Sequence, residues 1–152
     1  ETGADITKIN TELIKTAVDI KNEIIKNDFK ETSERMFLNF GHTIGHLIEI
    51  DSQHNISHGE AVGIGILKAL KISEKISDLN PIITQNFQNF LKKLELNTDY
   101  KFNSKPEQLG ELLFNDKKFS KGIVKYVLLR DIGDPVLVDF NLNDLLHEVT
   151  DE

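Results

Sequence analysis

Ile6, Ile9, Leu13, Ala17, Ile20 and Ile24 recur at steps of three and four. That spacing predicts an amphipathic helix over about residues 5–27. The same period continues downstream. A second helix is expected after Thr32 or Ser33, running to about Ile50 with Phe37, Phe40, Ile44, Leu47 and Ile48 mostly inward. Ser57-His58-Gly59-Glu60 has the S-x-x-E form of a capping box ahead of an apolar run, which opens a third helix from His58 to about Ile76. Asn80-Pro81 pairs a capping residue with proline at the first helical position and predicts a fourth helix over about 81–96. Ser104-Lys105-Pro106-Glu107 repeats the capping pattern and opens a fifth, ending near Phe114.

The texture then changes. Gly122 to Leu129 and Pro135 to Phe140 are rich in Val, Leu, Ile and Tyr, and Asp131-Ile132-Gly133-Asp134 separates them. This predicts a β-hairpin turning at Gly133. Asn141 can cap a last helix over about 142–149. The expected fold class is mainly α: one domain spanning residues 1–152, of five to six helices, with one hairpin near the C-terminus. At 152 residues and 39% hydrophobic content the chain can bury a core of its own.

Composition narrows the chemistry. With no Cys there is no disulfide framework, thiol nucleophile or thiolate metal ligand. A net charge of −7 disfavours general binding to nucleic acid or anionic membranes. The longest apolar run, Ala61 to Leu67, stops at Lys68, far short of a membrane span. A cytoplasmic location is expected.

Four of the five histidines, His42, His46, His54 and His58, fall within 17 positions. His42 and His46 are four apart, so on a helix their rings share one face. A helix, a short loop and a returning helix can bring His58 beside His42. Neutral imidazoles from facing helices are ordinary zinc ligands; scattered polar histidines are the plainer alternative. No Glu follows His42 directly, so the metalloprotease arrangement H-E-x-x-H lacks its general base. Arg35, Asn39, His42 and His46 advance by four, three and four. They therefore line one helix stripe, and a cation, an amide and two imidazoles on one stripe suit an anionic, polyhydroxylated ligand. A solvated helix face is the alternative.

Leu38-Asn39-Phe40-Gly41-His42-Thr43-Ile44-Gly45-His46-Leu47-Ile48-Glu49, followed by His58-Gly59-Glu60-Ala61-Val62-Gly63, closely resembles the core signature of the 3-dehydroquinate synthases. Lys21, Asp28, Glu31 and Arg35 upstream and Asn115-Asp116-Lys117-Lys118 downstream extend the likeness to most of the chain, from about residue 9 to 140. The resemblance implies a lyase that turns 3-deoxy-D-arabino-heptulosonate 7-phosphate into 3-dehydroquinate and phosphate, in the shikimate pathway of aromatic amino-acid biosynthesis. It implies NAD and a divalent metal, zinc or cobalt, as cofactors.

The resemblance also implies roles. His42 and His58 are the metal ligands. His46 faces the substrate as a catalytic group near the phosphate. Lys21, Arg35 and Asn39 contact substrate, Glu31 supports the site by orienting Arg35 or a neighbour, and one of Lys117 and Lys118 reaches the substrate. The family's N-terminal NAD-binding domain, with its Gly-rich turn, has no counterpart in these residues. The third metal ligand is a Glu in a Glu-x-x-Lys motif. Glu12-Leu13-Ile14-Lys15 imitates that motif but lies only nine residues before Lys21, so Glu12 is expected on the surface and the ligand upstream of Glu1. The expected partners are therefore the sugar-acid phosphate, the missing NAD-binding domain and, in the full enzyme, a second subunit. The chain alone is expected to be inactive. Alternatives are a related sugar-phosphate cyclase, or a non-catalytic module that keeps the fold.

Overall fold

The computed structural model describes residues 11–31, 34–114 and 122–150, with 113 and 114 described in their backbone only. Among these residues are six α-helices, a 3-10 helix and a two-stranded antiparallel sheet. No described helix is long and apolar enough to cross a membrane. The predicted class, mainly α with a late hairpin, is the observed one. The chain divides into two compact units, Glu1–Leu38 and Asn39–Glu152.

The first unit carries α1, Thr11–Asn27, with Glu12 in its first turn and Lys26 in its last, both signs matching the helix dipole. Glu12 is exposed, as expected. Asp28 ends the helix. It is buried, its N–H donates to the Ile24 carbonyl (3.0 Å), and its Oδ2 accepts from the Arg35 N–H (3.1 Å).

The second predicted helix is not continuous. Residues Glu34–Asn39 form a 3-10 helix, and α2 occupies His42–Asp51. Between them Gly41 takes φ +75, a left-handed conformation that a side chain rarely adopts. Arg35 and Asn39 therefore do not share a helical stripe with His42 and His46, which corrects the stripe expectation. The periodicity ran on unbroken because a 3-10 turn and an α-turn place apolar residues at similar spacings.

In the second unit α3, His58–Ile76, packs against α2, against α4 (Pro81–Lys93) and against β1 (Ile123–Asp131). Ser57 caps α3 by accepting from Glu60 N–H (3.4 Å). The reciprocal half of the capping box is missing. Glu60 Oε1 instead accepts from Asn97 N–H (3.1 Å) and Nδ2 (2.7 Å), tying the end of α4 to the start of α3. Asn80 caps α4 through Ile82 N–H (3.1 Å). The fifth helix, α5, is Pro106–Phe114. Just before it, Ser104 N–H donates to Asp51 Oδ1 (3.0 Å) and Lys105 N–H donates to Gln108 Oε1 (3.0 Å).

Strand β1 pairs with β2, Asp134–Asn141, in a register that sets Ile123 opposite Asn141 and Tyr126 opposite Val138, with a bulge between Leu129 and Asp131. Gly133 turns the hairpin at φ +82. Asn141 Oδ1 then accepts from Asn143 N–H (2.9 Å) at the start of α6, Leu142–Thr150. Ile44, Leu47 and Ile48 of α2, Ala61, Ile64 and Ile72 of α3, Val124, Tyr126 and Leu128 of β1 and Leu145, Leu146 and Val149 of α6 form one core. Burying such side chains stabilises by roughly 1.5–3 kcal/mol each. Asp51, at the end of α2, is buried and accepts from Tyr100 Oη (2.7 Å), Asn103 N–H (2.8 Å) and Ser104 N–H. It fastens the segment between α4 and α5 to the end of the histidine-bearing helix.

Candidate metal centre

The α2–α3 contact sets the site. A Cβ on Gly45 would lie 3.1 Å from Val62 Cα, and one on Gly41 would lie 2.6 Å from Ile66 N. A Cβ on Gly65 would run into the Gly41 carbonyl oxygen. The two helices thus touch backbone to backbone, with Gly41 against Ile66 and Gly45 against Val62 in antiparallel register. One more step of four in each direction sets Glu49 against His58.

At that step three imidazoles converge. Ring centroids are 5.6 Å apart for His42 and His58, 5.7 Å for His46 and His58, and 6.2 Å for His42 and His46. The reversal between the helices is tight: Gln53 and His54 take φ 54 and 60, and His54 N–H donates to the Glu49 carbonyl (2.8 Å). The exposed His54 side chain belongs to this turn.

Each converging ring has an acceptor at Nδ1. His42 Nδ1 lies 3.2 Å from the Phe40 carbonyl oxygen. His46 Nδ1 and His58 Nδ1 lie 3.1 and 3.0 Å from the same atom, Glu49 Oε2. Burial pushes the Glu49 carboxyl up, but hydrogen bonds and charge from His58 and then His46 outweigh it and hold the group below the usual carboxylate range. An ionised carboxylate and a carbonyl oxygen can only accept, so Nδ1 is the donor in each of these hydrogen bonds, and in the neutral ring Nε2 is then the nitrogen with a lone pair. Imidazoles held in this way by a carboxylate or carbonyl are suited to binding a divalent cation. His46, Glu49 and His58 also form a group whose potential ligand atoms all lie within 4.8 Å of one another.

Of the remaining predicted residues, Lys21, Glu31 and Arg35 belong to the first unit and Asn39 to the second. Lys21 is exposed on α1. Glu31, at φ 55, follows the Asp28 turn, and its Oε2 lies 3.9 Å from Arg35 Nε. Arg35 Nη1 also donates to the Phe29 carbonyl (2.9 Å), so the guanidinium is held from two sides within the first unit. Asn39 is half-buried at the end of the 3-10 helix. Lys117 and Lys118 lie outside the described residues. The residue that sequence reasoning missed is Glu49. Its signal was present: Gly41, Gly45 and Glu49 step by four, as do His58, Val62 and Ile66.

A sequence profile of the 3-dehydroquinate synthase C-terminal family matches residues 3–119. The chain is 37% identical over 138 residues to the 3-dehydroquinate synthase of Clostridium tetani (strain Massachusetts / E88), covering 90% of this chain and 36% of that protein. It is 38% identical over 151 residues to that of Lysinibacillus sphaericus (strain C3-41), covering 90% and 40%. The chain thus spans about two fifths of the length of these curated relatives. Two solved cyclases share the fold. One is a 2-deoxy-scyllo-inosose synthase complexed with carbaglucose-6-phosphate, NAD+ and Co2+ (TM-score 0.72, 24% identity, 90% of this chain and 41% of that one). The other is a 2-epi-5-epi-valiolone synthase from Streptomyces hygroscopicus subsp. jinggangensis 5008 with NAD+ and Zn2+ bound (0.73, 21%, 91% and 38%). With its profile match over most of the chain and the GHTIGH and HGEAV segments forming the α2–α3 pair, this chain belongs to the 3-dehydroquinate synthase C-terminal family.

Proposed function

We propose that the chain is the metal- and substrate-binding part of a 3-dehydroquinate synthase, which converts 3-deoxy-D-arabino-heptulosonate 7-phosphate to 3-dehydroquinate and phosphate in the shikimate pathway. The observation that carries this reading is the trio of imidazoles whose Nδ1 atoms are all occupied by acceptors, leaving their Nε2 atoms for a cation or a proton. His42 and His58 hold the cation, with the third ligand a Glu from a Glu-x-x-Lys motif outside these residues. His46 Nε2 receives and returns a proton beside the leaving phosphate, the work of a general acid–base group. Arg35 clamps phosphate or carboxylate oxygens through its paired donors, Asn39 meets hydroxyl oxygens, and Lys21 and one of Lys117 and Lys118 add positive charge. Glu31 keeps the Arg35 fork oriented. When bound, the cation supplies Lewis acidity toward substrate hydroxyls, and NAD, held mainly by the family's N-terminal domain, supplies reversible oxidation of a secondary alcohol.

The curated relatives at 37 and 38% identity carry the synthase name, which favours this reaction over that of another sugar-phosphate cyclase. The whole enzyme is read as a cytoplasmic homodimer. Titration with Co2+, followed by its visible absorption, tests the metal assignment in the chain itself. His42→Ala and His58→Ala are each expected to weaken binding by more than the roughly 100-fold that loss of a supporting partner costs. Unchanged binding in both would refute the assignment. Phosphate release by the full-length protein, assayed with each candidate sugar phosphate, tests the reaction.

A further inference from the structure

We propose that Glu49 is a positioning residue that holds His58 and His46 together through a single oxygen, fixing the metal-binding ring and the proton-transfer ring in one shared geometry. The proposal rests on the reading of His42 and His58 as metal ligands and adds to it a residue with no role there.

Backbone contact at Gly41, Gly45 and Gly65 leaves no freedom in the α2–α3 register, and that register brings Glu49 to His58. His46 lies three residues before Glu49 on the same helix and so reaches it from the other side. Both Nδ1 atoms meet Oε2, at 3.0 and 3.1 Å, rather than one ring meeting each oxygen. The Glu49 side chain is only 15% exposed, against 60% for His46 and 55% for His58. The carboxylate is thus the sheltered member of the group, with the rings standing over it and open to solvent.

Two consequences follow. The carboxylate makes Nδ1 the donor nitrogen of His58, so Nε2 is the only atom that ring can offer a cation. It does the same for His46, so the nitrogen that exchanges a proton with substrate is also Nε2. Because one oxygen serves both rings, a shift of His58 on metal binding alters the hydrogen bond to His46. His42, fixed independently by the Phe40 carbonyl, stands outside this linkage.

The group His46, Glu49 and His58 could instead be read as a three-ligand cation site in its own right. In that case Glu49 would touch the ion directly, and His42 would be dispensable. The two arrangements make different demands on the same four residues.

The test uses the 152-residue chain. Its first readout needs no metal: long-range 1H–15N correlation of the histidine rings above pH 8 reports which nitrogen carries the proton. We expect His42, His46 and His58 all as Nδ1–H forms. In Glu49→Ala, His46 and His58 are expected to revert to the Nε2–H form that free imidazole side chains favour, with His42 unchanged. The second readout is Co2+ affinity, expected to fall about 10–100-fold in Glu49→Ala. Glu49→Gln keeps the size and an acceptor oxygen but not the charge, so it decides the matter if the alanine variant fails to fold. Its affinity is expected to fall several-fold. Wild-type ring signatures in Glu49→Ala, or wild-type affinity in Glu49→Gln, overturn the proposal. So does Co2+ binding that survives His42→Ala but is lost in His46→Ala, since Glu49 would then be a ligand. If neither His42→Ala nor His58→Ala affects Co2+, the metal assignment fails, and the metal-free ring signatures still decide what Glu49 does.

Discussion

Asp51 shows how much one carboxylate can hold in this fold. Burial pushes its carboxyl up, but hydrogen bonds from Ser104, Asn103 and Tyr100 outweigh it and leave the group below the usual range. The same contact acts oppositely on Tyr100, whose hydroxyl is pushed up to about 12 by burial and by the bond to Asp51. Removing the acceptor in Asp51→Ala strands several donors and is expected to cost about 3 kcal/mol. For a chain of this length that is a fall in Tm of roughly 6–12 °C, readable by calorimetry. The sign with pH follows from the lowered value. Asp51 binds its proton more weakly when folded, so its stabilisation is present above its ordinary value of 3.8 and lost as pH falls through the folded one. The Tm gap between wild type and Asp51→Asn should therefore be full at pH 7 and narrow below about pH 4. A gap independent of pH would show that the charge is not what matters. This network was not legible in the sequence, because its donors lie 49 to 53 residues from Asp51 and no local pattern announces them.

Elements were more legible than their joints. α3 begins at His58 and ends at Ile76 where capping and periodicity put its ends, and the hairpin turns at Gly133. Both depend on local chemistry, a side-chain cap and a positive φ, which a sequence displays directly. The break between the 3-10 helix and α2 was missed because its cause is tertiary: Gly41 leaves the helical conformation where its backbone meets Ile66 and Gly65 on another helix. The histidine cluster was legible as a grouping, whereas the carboxylate between its rings needed the register of two helices. Gly65→Ala tests that register. Its new methyl group must displace the Gly41 carbonyl, so the α2–α3 pair has to open. We expect a loss of about 1–3 kcal/mol in urea unfolding, together with weaker Co2+ binding. Gly59→Ala, at a helical position with open space around it, is the matched control and should weaken neither.

At the scale of the molecule, the chain covers about two fifths of its curated relatives, and the proposed site takes two of its three metal ligands from it. With NAD, zinc and 3-deoxy-D-arabino-heptulosonate 7-phosphate supplied, the 152-residue chain alone is expected to release no phosphate above background. A longer version carrying an upstream NAD-binding domain should do so. Family-like rates from the chain alone would mean that the upstream Glu is not required.

The backbone contact at Gly41 and Gly65 makes one dimension of this protein adjustable in a single direction. Most spacings between helices are set by side chains, and a substitution can shrink them as readily as widen them. Here main-chain atoms already meet, and no residue is smaller than glycine. Any change at these two positions can only move the histidine-bearing helices apart. The helix spacing beneath His42 and His58 therefore stands at its lower limit, and trimming this seam could not draw the two helices closer.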